Sequence, residues 1–270
     1  MIKIPSNRKD IEIYLLSAGQ YLADAGAAMG VLPYRLWRDK VRIDEDHCLV
    51  MALHCLLVKT KAHNILVDTG IGEYLSDRLI KIYRPGKFTL IEELSLVGLQ
   101  PNEVDRIVLT HLHFDHAGGL LSTAKELLFP AAEYIVQTDE WATALNPDTL
   151  NVAAYSLREH YEALKDSGRV KLTSGESEID SGVFLEKIAG HSVGMQLVKI
   201  LDEKQLIYYA GDAFPLNAHL SPAVTSAYDL CRNTLCTVKE NIKETLRNTG
   251  GKLILCHEMT EPIISFNSEK

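Results

Sequence analysis

The chain has 270 residues, 46% hydrophobic and 24% charged, a balance typical of one globular domain over residues 1–270 with a sizeable core. Its 36 acidic and 28 basic residues give a formal net charge of −8, which argues against a nucleic acid or an anionic membrane as the main partner. The sequence holds no apolar run of about 18 residues and no signal-peptide core, so we expect a cytoplasmic protein without a membrane span.

The first part of the chain is predicted to form strands, with one helix among them. Apolar and β-branched runs predict strands at residues 11–16, 50–59 and 64–68. The turn "DTGIG" follows the third strand. A helix is predicted over 89–97, where Gly98 and Pro101 end it, and the stretch "VDRIVLT" predicts a short buried strand.

The second part mixes strands with helices. Strands are predicted at 133–137, 183–189, 196–201 and 205–210, with a last strand in "KLILC", and helices at 138–145, 155–165 and 227–248. Strands and helices do not alternate regularly along the chain. This order favours an α+β fold in which sheets pack together and helices lie outside.

The stretch "THLHFDHAGG" concentrates metal-ligating side chains directly after a predicted buried strand. A His-x-His pair can direct two imidazoles, here those of His111 and His113, at one ion, and histidine with carboxylate ligands suits zinc. Asp115 and His116 cannot easily reach that ion, so we expect them to hold a second one. Two metal ions ~3.5–4 Å apart, joined by a bridging carboxylate and hydroxide, recur in hydrolytic enzymes.

Such a pair of ions requires more ligands from later in the chain. His191 lies in "AGHSVG", Asp212 in "YYAGDAF" and His257 in "LILCHE". Each of the three ends an apolar run and enters a turn, and side chains at strand ends are held rigidly. We therefore expect all three to meet the first group in one pocket.

The motif "HLHFDH", the early "LVDTG" and the later His, Asp and His resemble the metallo-β-lactamase superfamily over about residues 50–257. The intervals 75, 21 and 45 (116 to 191, 191 to 212, 212 to 257) look like those of its N-acyl-homoserine-lactone lactonase branch. The resemblance implies an αββα four-layer sandwich, the metallo-β-lactamase fold, with Asp68 fixing a ligand loop. By position, it assigns His111, His113 and His191 to metal one, Asp115, His116 and His257 to metal two, and Asp212 to the bridge between them.

The resemblance also implies the chemistry. We expect a dinuclear zinc hydrolase, with iron or manganese as alternatives, whose metal-bridging hydroxide attacks a carboxylic ester, most simply a lactone with an apolar chain. Asp115 is expected to orient the hydroxide and to pass its proton to the leaving oxygen. Lactonases of this branch usually carry a tyrosine three residues after the bridging aspartate, where this chain has Pro215. His219 is our hypothesis for the substitute donor, with Tyr228 or the metal alone as the alternatives.

Other functions stay open. Within the enzymes, the alternatives are a thioester hydrolase of the glyoxalase II kind and a phosphoester hydrolase. The first is weakened because only 13 residues follow His257, too few for a helical substrate-binding extension. Among phosphoester hydrolases, the nucleic-acid phosphodiesterases are disfavoured by the acidic balance. An exported β-lactamase is disfavoured because no signal is seen. Outside the enzymes, a metal-binding sensor or an inactive scaffold is the alternative. The expected partner is a small ester or lactone, neither nucleic acid nor membrane, and a homodimer is left open.

Several other residues have plain structural interpretations. The five cysteines form no CxxC pair and are expected to be reduced, buried thiols, with Cys231 on the apolar stripe of the last helix. The segment 24–37 is expected either to line an acyl pocket or to pack in the core. The remaining histidines are expected on the surface or in packing: His47, His54, His63 and His160.

Overall fold

Two β-sheets form the centre of the protein in the computed structural model, which describes residues 1–39 and 41–267. The first sheet follows chain order: β1 (Ile2–Ile4), β2 (Glu12–Asp24), β3 (Cys48–Lys59), β4 (Asn64–Val67), β5 (Arg106–Val108), β6 (Glu133–Gln137) and β7 (Val170–Thr173). Strands β1 to β4 pair antiparallel, and β4 to β7 pair parallel.

The second sheet has six strands in the order β13, β12, β11, β10, β9, β8. They are β8 (Ser177–Asp180), β9 (Val183–Lys187), β10 (Gln196–Asp202), β11 (Gln205–Tyr209), β12 (Lys252–Ile254) and β13 (Ile263–Ser265). Among the described strands of this sheet, only β11 and β12 pair parallel, because α8 connects them as a crossover.

Helices cover the outer faces of both sheets. The helices are α1 (Ala25–Met29), α2 (Tyr34–Trp37), α3 (Asp77–Tyr83), α4 (Leu90–Leu96), α5 (Phe114–Ala117), α6 (Thr138–Leu145), α7 (Arg158–Asp166) and α8 (Arg232–Thr249). Helices α1 to α7 contribute to one apolar cluster with the first sheet, and α8 packs on the second. Across the described ranges, no helix combines the length and apolar character needed to cross a membrane.

The core follows from the alternation of side chains along each strand. On β3, Leu56 and Val58 face the second sheet, whereas Cys55 and Leu57 face the helices. Residues of β10 and β11 alternate in the same way, so one apolar layer lies between the sheets and one lies under each helical layer. The predicted α+β fold and its αββα four-layer sandwich are confirmed.

Two predicted elements have a boundary that is wrong by five residues or more. Strand β2 runs on to Asp24, although its apolar pattern breaks near Gly19. The last helix begins at Arg232 and not at residue 227, because the segment before it is tied to other loops: the backbone N–H of Ala227 donates to Ala27, and that of Cys231 to Gly190. Cys231 is consequently exposed, and its predicted burial is wrong.

Candidate metal centre

The seven predicted ligands converge where strands of both sheets end. His111 and His113 lie on the loop after β5, and Asp115 and His116 lie on α5, which continues that loop. Three later ligands arrive from the second sheet: His191 between β9 and β10, Asp212 after β11, and His257 after β12. All five histidines are buried. The structure thus brings together every ligand residue that the sequence predicted.

Three imidazoles form a first ligand group. The candidate ligand atoms of His111, His113 and His191 all lie within 4.8 Å of one another. The His113 Nδ1 and His191 Nε2 atoms are 3.1 Å apart. His111 Nε2 is buried and has no hydrogen-bond partner among the described residues. A buried nitrogen lone pair without a partner is costly, and a metal ion is what this donor set fits.

A second group lies beside the first. His116 Nε2 and His257 Nε2 are 3.2 Å apart, and the Oδ1 atom of Asp212 is 3.1 Å and 3.0 Å from them. The Cys256 thiol belongs to the same cluster and donates to Asp212 Oδ1 at 3.2 Å. Burial raises the pKa of Cys256 well above its ordinary value, so the thiol keeps its proton.

The Asp212 carboxylate connects the two groups. Its Oδ1 atom faces His116 and His257, while its Oδ2 atom lies 3.3 Å from His191 Nε2. Burial alone would raise its pKa, but His257, His116 and His191 hold the pKa of Asp212 well below the ordinary value. An ionised carboxylate with one oxygen toward each group is the geometry expected of a bridging ligand.

Asp115 stands slightly apart from these atoms. Its Oδ2 atom lies 3.5 Å from His257 Nε2 and 3.8 Å from His116 Nε2. The same oxygen accepts a 2.7 Å hydrogen bond from the phenol of Tyr21. Asp115 can therefore join the second group, with a hydroxyl donor behind it.

Outward hydrogen bonds orient the imidazole rings. His257 Nδ1 donates to the Ala52 carbonyl at 2.7 Å, and His191 Nδ1 lies 2.8 Å from the Asp229 carboxylate. A proton held on Nδ1 leaves the Nε2 lone pair directed inward. For His111 and His113, burial lowers the pKa well below the ordinary value, so both rings are neutral and free to ligate.

The Asp68 carboxylate supports both groups, as predicted for a residue that fixes a ligand loop. It accepts from the backbone and hydroxyl of Thr110, from Tyr209 at 3.2 Å and from His116 Nδ1 at 2.8 Å. Because the Thr110 hydroxyl donates to Asp68, its lone pair accepts from His111 Nδ1 at 3.0 Å. One buried carboxylate thereby sets a ring in each group.

A buried glutamate that sequence reasoning missed joins two ligand loops. Glu140, on α6, is fully buried and accepts four hydrogen bonds. The donors are the Leu112 N–H (2.9 Å), the Tyr155 hydroxyl (2.6 Å), the Ser192 hydroxyl (2.7 Å) and the Gly194 N–H (3.1 Å). Four donors satisfy a buried carboxylate that makes no ion pair with a described residue.

Glu140 therefore fixes the first group. Leu112 separates His111 from His113, and Ser192 follows His191. The Glu140 carboxylate, which accepts from both residues, therefore connects the two loops that carry this group. No sequence signal marked Glu140, because its partners come from three distant segments. Asp229 was missed for a different reason: it lies in a stretch predicted to be helical.

His219 lines the cavity beside the site, but its predicted role as a donor is not supported. Its Nε2 atom lies 3.1 Å from the Ala28 carbonyl, which can only accept, so the proton sits on Nε2 and is already used. Burial and the nearby Lys239 lower the pKa of His219 to about 4, so the ring is neutral at pH 7. The remaining Nδ1 atom can only accept a hydrogen bond.

We predict that Glu140→Gln lowers the affinity of the first ligand group for zinc by about 10–100-fold. The reason is that the new amide NH₂ would face groups that donate hydrogen bonds to the carboxylate. Zinc titration of the metal-free protein by calorimetry measures this affinity. Glu133→Gln, a surface change on β6, is the matched control and should leave both affinities unchanged. Unaltered zinc affinity in Glu140→Gln would show that the carboxylate does not set the ligand geometry.

Comparisons with known proteins agree with this geometry. A family model described as the metallo-beta-lactamase superfamily matches residues 51–240. An N-acyl homoserine lactonase of Bacillus thuringiensis is 27% identical over 209 residues, which cover 72% of this chain and 71% of the relative. A probable metal-dependent hydrolase from Staphylococcus aureus has a similar solved structure, with 27% identity, a TM-score of 0.90, and coverage of 96% of this chain and 94% of that chain.

A dizinc quorum-quenching lactonase solved with a product is similar in fold, with a TM-score of 0.81, 20% identity, and coverage of 99% of this chain and 94% of that chain. The family model spans more than half of the sequence, and the HxHxDH motif, the later ligands and the four-layer fold are all present. The chain therefore belongs to the metallo-beta-lactamase superfamily, and it is a metal-dependent hydrolase.

Proposed function

We propose that the protein is a dinuclear zinc hydrolase that cleaves a carboxylic ester, and that its substrate is a lactone with an apolar chain. The observation that carries the proposal is the position of Asp212, one oxygen toward each of two histidine groups, at the wall of a cavity of about 360 Å³. The single-domain organisation over residues 1–270 and the cytoplasmic location remain predictions.

The donor set supports two ions. Nitrogen donors with a few carboxylate oxygens suit zinc, and iron or manganese stay as alternatives. In this proposal His111, His113 and His191 hold metal one. His116, His257 and Asp115 hold metal two, and Asp212 contacts both. Zinc ions bound in this way would supply Lewis-acid polarisation of a carbonyl and a lowered pKa for water.

The chain's own residues would then guide the reaction. Asp115, with Oδ2 beside the second group, is placed to orient an attacking water and to accept its proton. The same carboxyl group can return that proton to the leaving alkoxide, which is how we assign Asp115 as the catalytic acid–base. Asp212 keeps its negative charge throughout, because three imidazoles hold its pKa low.

The residues that line the cavity favour a neutral, apolar substrate. Tyr83, Phe114 and Met51 line it, together with small residues such as Ala28 and Ala153. Among the described residues that line the cavity there is no lysine or arginine. A substrate that carries carboxylate groups away from its reacting bond would meet no positive side chain there, so a glyoxalase-type thioester fits less well. Similarity to N-acyl homoserine lactonases points the same way. A phosphoester stays the alternative, because a pair of metal ions also suits phosphoryl transfer.

One prediction of this proposal concerns metal content. Protein purified without a chelator should carry about two transition-metal ions per chain, because the ligands form two groups joined by one carboxylate. Asp212→Ala should retain the fold and bind about one ion, with most activity lost. Elemental analysis measures the number of bound ions, and circular dichroism checks that the fold is retained. Asp166→Ala, on the exposed end of α7, is the control. A value of one or less after zinc reconstitution of the wild type contradicts the dinuclear site.

Another prediction of this proposal concerns substrate class. In a panel of N-acyl homoserine lactones, thioesters and phosphodiesters, lactones with apolar acyl chains should give the highest kcat/KM, because the walls bury an apolar chain. A charged substitution at the wall, Ala153→Asp, should raise KM for long acyl chains more than for short ones. Preference for thioesters or phosphodiesters would overturn the lactone assignment, and two bound metals without turnover of any ester would favour a metal-binding sensor.

A further inference from the structure

A bulge in β2 decides which face of the sheet carries Tyr21. Before the bulge, Ile13 and Leu15 point into the layer between the sheets. The pairing with β3 shifts between Ser17 and Gln20, and after the shift Tyr21 and Ala23 point to the opposite face. A one-residue slip in register moves a side chain to the other face, so the bulge turns Tyr21 away from the inter-sheet layer and toward the metal centre.

Gly19 is the residue that allows this bulge. It has a φ of +112°, and a Cβ atom at this position would lie 2.5 Å from the Lys87 carbonyl oxygen. Only glycine fits both the dihedral angle and the close approach without strain. Gly19 therefore lets the strand turn the Tyr21 phenol toward the site.

The Tyr21 ring is held firmly in the cavity wall. It is 5% exposed and makes edge contacts with Tyr83 (6.0 Å between ring centroids), Phe114 (6.4 Å) and His257 (5.8 Å). Aromatic rings in this edge-to-face arrangement stabilise one another. The hydroxyl is consequently fixed in place and donates to Asp115 Oδ2 at 2.7 Å.

Other phenols near the site lack this contact. Tyr83 and Tyr228 also line the cavity, but neither hydroxyl makes a hydrogen bond to a described residue, and Tyr228 is 43% exposed. Pro215 also lines the cavity and has no donor on its side chain or backbone nitrogen. Of these three tyrosines, Tyr21 is thus the one whose hydroxyl is fixed against a predicted metal ligand.

We propose that Tyr21 is a positioning residue for Asp115: its hydroxyl holds the Oδ2 atom of Asp115 against the second ligand group. The proposal rests on the proposed dinuclear function. A carboxylate oxygen that already accepts a charge-assisted hydrogen bond has fewer orientations to lose when it ligates an ion. Tyr21 does not replace the donor that is absent at Pro215, because its proton is already donated to Asp115; its effect on the reaction passes through Asp115.

The test is zinc binding to metal-free Tyr21→Phe, which keeps the ring and removes only the hydroxyl. The affinity of the second zinc ion should fall by about 10–100-fold, with the first affinity unchanged. Calorimetric titration resolves the two steps without any substrate. Tyr83→Phe removes a hydroxyl from the same aromatic cluster and should bind both ions like the wild type. Unchanged second-ion affinity in Tyr21→Phe overturns the proposal.

A double-mutant cycle separates action through Asp115 from a general packing effect. If Tyr21 acts through Asp115, Tyr21→Phe should cause no further loss of second-ion affinity in an Asp115→Asn background, because the oxygen it positions has lost its charge. Independent, additive losses would contradict the inference. Failure of the proposed function looks different: the wild type itself would bind only one zinc ion, whatever residue stands at position 21.

Discussion

The site depends on the buried carboxylate of Asp68, which joins elements from both sheets. The residue follows β4 with a φ of +60°, a left-handed conformation that is costly outside glycine and persists only where contacts enforce it. Those contacts are donors from Thr110, His116 and Tyr209, of which Tyr209 belongs to the second sheet. Through Thr110 the same carboxylate reaches His111. Loss of Asp68 would therefore release one ring in each ligand group at once.

Strand ends explain why such distant residues meet. Ligands leave the first sheet after β5 and the second sheet after β11 and β12, and the layer between the sheets fixes the distance between these ends. Glu140 then ties the loop after β5 to the loop of His191 from the helical side. Each group is held by a carboxylate that does not itself belong to it, an arrangement that orients ligands before any ion binds.

Much of this could be predicted from the sequence, because the ligands and the core follow local rules. The spacing in "THLHFDHAGG" and the apolar runs before His191, Asp212 and His257 identify seven residues that the structure brings together. The supporting residues could not be predicted, since their roles come from tertiary contacts. Tyr21 lies beyond a bulge where the strand pattern breaks, and Asp229 lies in a stretch that reads as helix but is tied to other loops. His219 shows a further limit: its nearness to the site was predictable, but the hydrogen bond that occupies its proton was not.

The central claim is that two metal ions share Asp212. Anomalous diffraction from zinc-soaked crystals, recorded above and below the zinc absorption edge, tests it most directly. We predict two peaks per chain, one at His111, His113 and His191 and one at His116 and His257, both beside the Asp212 carboxylate at a separation of ~3.5–4 Å. A single peak at full zinc loading, or a second peak remote from Asp212, would contradict the account.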